Sequence, residues 1–323
     1  MALSYEFSIG SVRARENSLF SEADAEQMLA LRSEGDLVRY LKDKGYGDGD
    51  TIDAIMESNT RRMWAYIKSI APDFNLFLPF FIQNDIHNLK TVLKGTMADR
   101  EYETLLIEPC SIPKEALIKA VENRRFEQFP QWLQRPANRA YQILAETKDA
   151  RLSDAYLDRG VLDELLAQAK RSRSPFLMAY FNTMVFYTDV KTALRGARVN
   201  ASRYYLEKAI VECEGLDKAA VVKAALQGSE ALIKYLKAQQ VYDCHKAIEL
   251  FVSSPSAFEK FVDNRLIGLA KQLCRLSSEG PEPLLGYYIG CVYERKMITL
   301  IASGLKTETP KEQIRERLRE IYG

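Results

Sequence analysis

A short helical phrase occurs three times in this chain, and no other feature limits its fold as strongly. Asn88 to Gly95 reads NLKTVLKG, Asp189 to Gly196 reads DVKTALRG, and Lys296 to Ser303 reads KMITLIAS. The threonines Thr91, Thr192 and Thr299 anchor the alignment. Leu93, Leu194 and Ile301 fall on one aligned position, and Leu89, Val190 and Met297 one turn earlier on the same face. Phe80, Phe181 and Tyr288 align upstream, as do Leu76, Leu177 and Leu284. Apolar residues at this spacing form one stripe of an α-helix, so each phrase predicts one long, buried helix.

Two further segments repeat in the same order. DLVRYL from Asp36, QFPQWL from Gln128 and ALIKYL from Ala231 each precede a long helix. LLIEPCSIPKEALIKAV from Leu105 matches KAIVECEGLDKAAVVKAA from Lys208. The period is roughly one hundred residues, longer than the roughly 20–50 of common solenoid units. Each copy is therefore nearly a domain, giving expected boundaries of 1–112, 113–216 and 217–323. Three such domains can stack in a line or close into a ring, and the repeat leaves both open.

Helical periodicity prevails throughout, while Gly and Pro fall mostly between periodic segments. An all-α fold is expected. Aromatic residues at helical spacing (Phe77, Phe80 and Phe81; Tyr180, Phe181 and Tyr187) read as core. With 47 % apolar residues, the 323-residue chain has enough material for sizeable cores. The 45 Lys+Arg against 44 Asp+Glu exclude the basic excess of a nucleic-acid or polybasic membrane binder. Five cysteines, an odd number with no CxxC pair, argue against a secreted disulfide framework. The opening MALSYEFSIGSVRARENS lacks a signal peptide's apolar run. Leu284 to Leu305 is long and apolar but carries Glu294, Arg295 and Lys296 at its centre. Each such charge costs about 2.5–3.5 kcal/mol at mid-bilayer, so a buried soluble helix is expected there.

Catalytic chemistry is hard to assemble. The sequence has no Walker A loop, GxGxxG, GxSxG or HExxH. GYGDGD, from Gly45, lacks the spacing and terminal Glu of an EF-hand and reads as a loop between helices. Cys244–His245 supplies too few ligands for zinc, and His87 has no catalytic neighbour in sequence. No Asp-Asp pair exists to hold magnesium-bound diphosphate, which argues against a helical terpenoid synthase. No catalytic residue, cofactor site or metal site is therefore expected. What stands out instead are basic pairs at i,i+4: Lys90/Lys94 and Lys191/Arg195, at equivalent positions of the first two copies. They are either solvated helix faces or a matched surface for an acidic partner. The third copy has Ile298 and Ala302 in their place, and the second has Asp189 where the first has Asn88.

YEFSIGSVRARENSLFSEADAEQML from Tyr5, NDIHNLKTVLKG from Asn84 and YERKMITLIASGLKTETPKEQIRERL from Tyr293 together resemble the C-subunit family of V-type (V/A-type) ATPases, whose eukaryotic homologue is the d subunit. The resemblance covers the whole chain, including its threefold repetition. It implies an all-helical funnel of three similar domains around a pseudo-threefold axis. It further implies a non-catalytic coupler, one copy per complex, on the cytoplasmic face of the membrane. Its partners would be the central shaft and the ring of membrane rotor subunits, so that membrane contact comes only through partners. A rival reading is a helical repeat scaffold or adaptor. A linear scaffold would show shorter repeats and polar caps at both ends, and none is evident at KTETPKEQIRERLREIYG.

Overall fold

A computed structural model describes residues 4–323. Among the described residues the only regular elements are helices; a single isolated β-bridge pairs Cys213 with Leu216. The first α-helices are α1 (Tyr5–Glu16), α2 (Glu22–Ala30), α3 (Glu34–Asp43), α4 (Ile52–Ile70), α5 (Pro79–Ala98) and α6 (Lys114–Glu122). The middle of the chain forms α7 (Gln131–Thr147), α8 (Ala150–Ser172), α9 (Pro175–Arg198), α10 (Arg203–Ala209) and α11 (Lys218–Leu226). The last are α12 (Ser229–Lys237), α13 (Cys244–Ser253), α14 (Pro255–Ala270), α15 (Glu282–Lys306) and α16 (Lys311–Arg317). No described helix is long and apolar enough to cross a membrane.

The repeat threonines fall in α5, α9 and α15, the predicted long helices. Their aligned apolar stripe is buried at Leu89, Val190 and Met297 and again at Leu93, Leu194 and Ile301. All three helices also end alike. A residue with positive φ follows each: Asp99, Asn200 and Glu308. The next amide then reaches back to a glycine carbonyl: Arg100 N–H to Gly95 at 3.1 Å, Ala201 to Gly196 at 2.9 Å and Thr309 to Gly304 at 2.9 Å. This left-handed stop satisfies carbonyls that the helix end would otherwise leave bare. Gly95 and Gly304 are needed for the return, since a Cβ would lie 2.2 Å from the Tyr102 ring and 2.3 Å from Ile314, respectively.

The chain divides into two compact units that do not follow sequence order. The first holds residues 4–74, Ser174–Phe176 and Glu249–Gly323; the second holds Asn75–Arg173 and Leu177–Ile248. In the first unit, Phe20, Met28, Leu37, Leu41, Ile52 and Ile55 pack on Met297, Ile298 and Ile301. The N-terminal helices α2, α3 and α4 are thus built around the C-terminal half of α15. Ser21 and Asp24 form a reciprocal cap at the start of α2, fixing the chain direction where this packing begins. Arg13 donates to the carbonyls of Cys274 at 3.0 Å and Ser277 at 2.6 Å, tying α1 to the end of the 271–275 turn. Glu294 of α15 is buried and accepts the Phe20 amide; burial pushes its carboxyl up to about 8.

In the second unit α7 and α8 form an antiparallel hairpin, cross-linked by the buried Ser153 hydroxyl donating to the Ala140 carbonyl at 2.9 Å. The expected aromatic core forms: Phe77, Phe81, Tyr180, Phe181 and Tyr187 are buried, and half-buried Phe80 packs on Tyr180 and Phe181. One repeated segment differs in local structure from its siblings. DLVRYL lies within α3 and ALIKYL within α12, whereas QFPQWL leaves a short 3-10 turn and enters α7 across Pro130. Proline has no N–H to donate and so sits at the helix start. The buried positions survive nonetheless: Leu37, Phe129 and Leu232, then Leu41, Leu133 and Leu236, are all core.

GYGDGD is a loop between α3 and α4, as its glycines and acids suggested. Among the described residues no group of His, Cys, Asp and Glu is arranged to hold a metal. His87 and His245 are exposed, facing the carbonyls of Leu105 and Lys237 at 3.2 Å. The five cysteines are free thiols.

Candidate partner interface

The basic pairs lie on α5 and α9, and the second unit treats them differently. Lys90 and Lys94 face α8, where Asp158 and Asp154 have the same i,i+4 spacing in the opposite direction. Lys90 pairs with Asp158, and Lys94 with Asp154 at 2.6 Å. Both lysines are half-buried, and the ladder joins α5 to α8. One oxygen of Asp154 is buried without any hydrogen-bond partner, so Lys94 carries most of that carboxylate's compensation. On α9, Lys191 is half-buried and Arg195 is exposed. Among the described residues no carboxylate pairs with Arg195, so its guanidinium is the more available charge of that pair.

Helices α5 and α9 meet through equivalent residues. Phe80 packs on Phe181 with ring centroids 5.4 Å apart, and the Gln83 amide donates to Met184 Sδ at 3.5 Å. Phe80 aligns with Phe181 in the threonine-anchored register, and Gln83 with Met184. Lys90 lies about 15 Å further along α5 at 1.5 Å per residue, so the basic pairs stand well beyond this meeting point.

Each of these two helices also clamps the segment that follows it, by the same device. Asn88 accepts the Ile107 amide at 2.8 Å and donates to the Ile107 carbonyl at 2.9 Å. At the equivalent place Asp189 accepts the Val211 amide at 3.1 Å, but its second oxygen is buried without a partner. Burial pushes the Asp189 carboxyl up to about 8. Lys114 donates to the Leu106 carbonyl at 3.3 Å, and Lys218 repeats this bond to Ile210 at 2.6 Å. Only the first copy adds Asp85, which accepts the amides of Ser111 at 2.8 Å and Ile112 at 3.0 Å.

Sequence reasoning singled out the four basic residues without the aspartates that two of them meet. Asp154 and Asp158 carried the matching signal, the same spacing with opposite sign on an amphipathic helix. It also passed over Asp189 as a buried, half-satisfied acid, although the Asn-to-Asp change between copies marked the position.

Comparison with known proteins finds relatives along nearly the whole chain. The family model for the ATP synthase (C/AC39) subunit matches residues 8–317. The C subunit of the V-type sodium ATPase of Enterococcus hirae is 21 % identical over 319 residues, covering 96 % of this chain and 97 % of that protein. The C subunit of the A-type ATP synthase of Methanocaldococcus jannaschii is 22 % identical, covering 97 % of this chain and 86 % of its own length. The C subunit of the V-type ATP synthase of Thermus thermophilus is 24 % identical over 64 % of this chain and 68 % of its own length. A match of this extent, over a helical chain whose long helices repeat their caps and clamps, places the protein: it belongs to the ATP synthase (C/AC39) subunit family.

Proposed function

We propose that this chain is a non-catalytic central-stalk subunit of a V/A-type ATPase or ATP synthase. It couples a rotating shaft to the membrane ion-carrying ring, one copy per complex, on the cytoplasmic face. The family match over residues 8–317 is the observation that carries this reading. In this proposal the copies 1–112, 113–216 and 217–323 close around a pseudo-threefold axis as a funnel, and contact with the membrane is made through the ring subunits.

The contact of Phe80 with Phe181 and of Gln83 with Met184 supports a rotational arrangement. Units repeated along a line keep equivalent residues one full repeat apart. Between domain-sized units, equivalent residues touch where a rotation axis runs close by. The narrow end of the funnel would lie at this contact, and its mouth towards the ends of α5 and α9 that carry Lys90, Lys94, Lys191 and Arg195. The shaft would enter the mouth with an acidic surface. Lys90 and Lys94 already neutralise Asp158 and Asp154, so Arg195 would contribute more than either to that contact.

The test is binding of the isolated shaft subunits to the full chain at low and moderate salt, alongside thermal melting. Lys191→Glu/Arg195→Glu should weaken binding about tenfold at low salt and by less at moderate salt, where the lost attraction and the new repulsion are both screened, and the melting of the variant reports whether the fold is intact. Shaft binding that survives the double reversal removes these residues from the interface. Failure of the parent chain to bind any shaft or ring subunit overturns the rotor assignment itself.

A further inference from the structure

Away from the α5–α9 contact, the second unit gathers four side chains that the rotor reading does not use. Arg139 of α7, Tyr156 of α8, and Tyr204 and Lys208 of α10 form one cluster. The tyrosine hydroxyls are hydrogen-bonded to each other at 3.0 Å. The Lys208 ammonium lies 5.9 Å from the Tyr156 ring centre and 5.6 Å from that of Tyr204. The Arg139 guanidinium lies 6.0 Å from the Tyr156 ring centre. Tyr204 is 46 % exposed and Arg139 is exposed, so the cluster opens to solvent.

The cluster has more donors than acceptors to match them. Among the described residues neither Arg139 nor Lys208 forms an ion pair; Arg139 donates instead to the neutral Gln142 side-chain oxygen at 3.3 Å. Glu207, next to Lys208 in sequence, is engaged with Arg203 at 3.6 Å. Of two hydroxyls bonded to each other, one spends its proton on the pair and the other keeps a proton to donate outward. The Tyr156 hydrogen bond, then Arg139 and the nearby cations, hold the Tyr204 hydroxyl below the usual tyrosine range, which makes it a better donor. Two cations are held over ring faces by cation–π attraction, which keeps them in place without neutralising them.

We propose that Arg139, Tyr156, Tyr204 and Lys208 form a docking site for a carboxylate side chain on an acidic segment of a partner protein. Three donor groups, one of them a planar guanidinium fork, suit a carboxylate. Tyrosine with arginine is also the composition that dominates protein-interface energetics. A lipid surface fits poorly, because membrane attraction needs clusters of about 4–8 basic residues, and this cluster holds two. The site would serve any acidic partner, so its test does not depend on the rotor assignment.

The test measures binding of a labelled oligoglutamate peptide to the full chain by fluorescence anisotropy, with inorganic phosphate and phosphatidylserine vesicles as alternative probes. The parent should bind the peptide saturably, and more weakly as salt rises. Arg139→Gln/Lys208→Gln should weaken binding at least about tenfold, while Lys119→Gln/Lys170→Gln, an equal loss of charge outside the cluster, leaves it unchanged. Tyr204→Phe should weaken binding by a smaller factor. Circular dichroism and melting of each variant report whether the fold is intact, and the two glutamine pairs control each other for charge. Equal losses in both pairs, undiminished binding in the first, or capture of phosphate or vesicles without peptide would each overturn the site.

Discussion

Asn88 and Asp189 occupy one position in two copies of the same helix, and a single atom separates them. The amide of Asn88 both gives and takes a hydrogen bond with Ile107. The acid of Asp189 only takes one, from Val211, and buries an idle oxygen. Its carboxyl is pushed from an ordinary 3.8 up to about 8 by burial. In the folded chain it therefore stays protonated up to about pH 8, whereas the unfolded chain releases that proton near pH 4. Through that window the unfolded state binds fewer protons, so stability is present in full below pH 4 and falls as pH rises to 8. Asp189→Asn should match the parent in melting temperature near pH 4 and exceed it by a growing margin towards pH 8. Melting curves across that range check it; a constant difference, or a loss at pH 8, would contradict the role given to burial. Glu294, also raised to about 8, leaves the variant with some residual slope of the same sign. The change of Asn to Asp was legible in the sequence, but its burial was not, because a charged residue on a helix reads by default as solvent-facing.

Elements show the same division between what periodicity reveals and what contact decides. The long helices could be read from Thr91, Thr192 and Thr299 because a 3.6-residue stripe needs no knowledge of what it packs against. Their ends could not, since the stops at Asp99, Asn200 and Glu308 depend on non-glycine residues in a left-handed conformation. The partners of Lys90 and Lys94 lie on α8, far away in sequence, and their matching spacing alone did not say which helix would face them. Yet Ile298 and Ala302 were informative: apolar residues where the siblings are basic signal a different neighbour, and Ile298 is buried against the N-terminal helices. The α5–α8 ladder gives a graded expectation. Asp158 is 55 % exposed and water can replace Lys90, so Lys90→Met should cost about 0.5 kcal/mol or less. Asp154 is 30 % exposed with one oxygen already unpartnered, so Lys94→Met should cost more, about 1 kcal/mol. Urea unfolding of the two variants checks the order, and equal costs would deny Asp154 its dependence on Lys94.

At the scale of the whole molecule, the helical class was legible from composition and periodicity, whereas the grouping of helices was not. The expected division into consecutive thirds describes the repeat; the compact units instead join residues 4–74 to Glu249–Gly323 and leave the middle of the chain as a body of its own. Sequence patterns report which faces are apolar, not which distant segment covers them, and Leu37 and Leu41 gave no sign that Ile298 and Ile301 were their cover. A chain ending at Ile248 should therefore keep its central unit and lose the N-terminal one. Limited proteolysis is expected to cut within α2 to α4 while residues 75–248 resist, with helical content reduced by more than the deleted residues alone explain. Resistance of α2 to α4 in the truncated chain would show that they do not need α15. The same arrangement has a consequence for how the protein is made. Met56 leaves the ribosome long before Met297, and at about 5–20 residues per second the interval is roughly 10–50 s. Throughout that time the nascent chain displays an apolar surface whose native cover has not been translated. How long that surface stays bare is set by gene length and codon speed as well as by the stability of the finished fold.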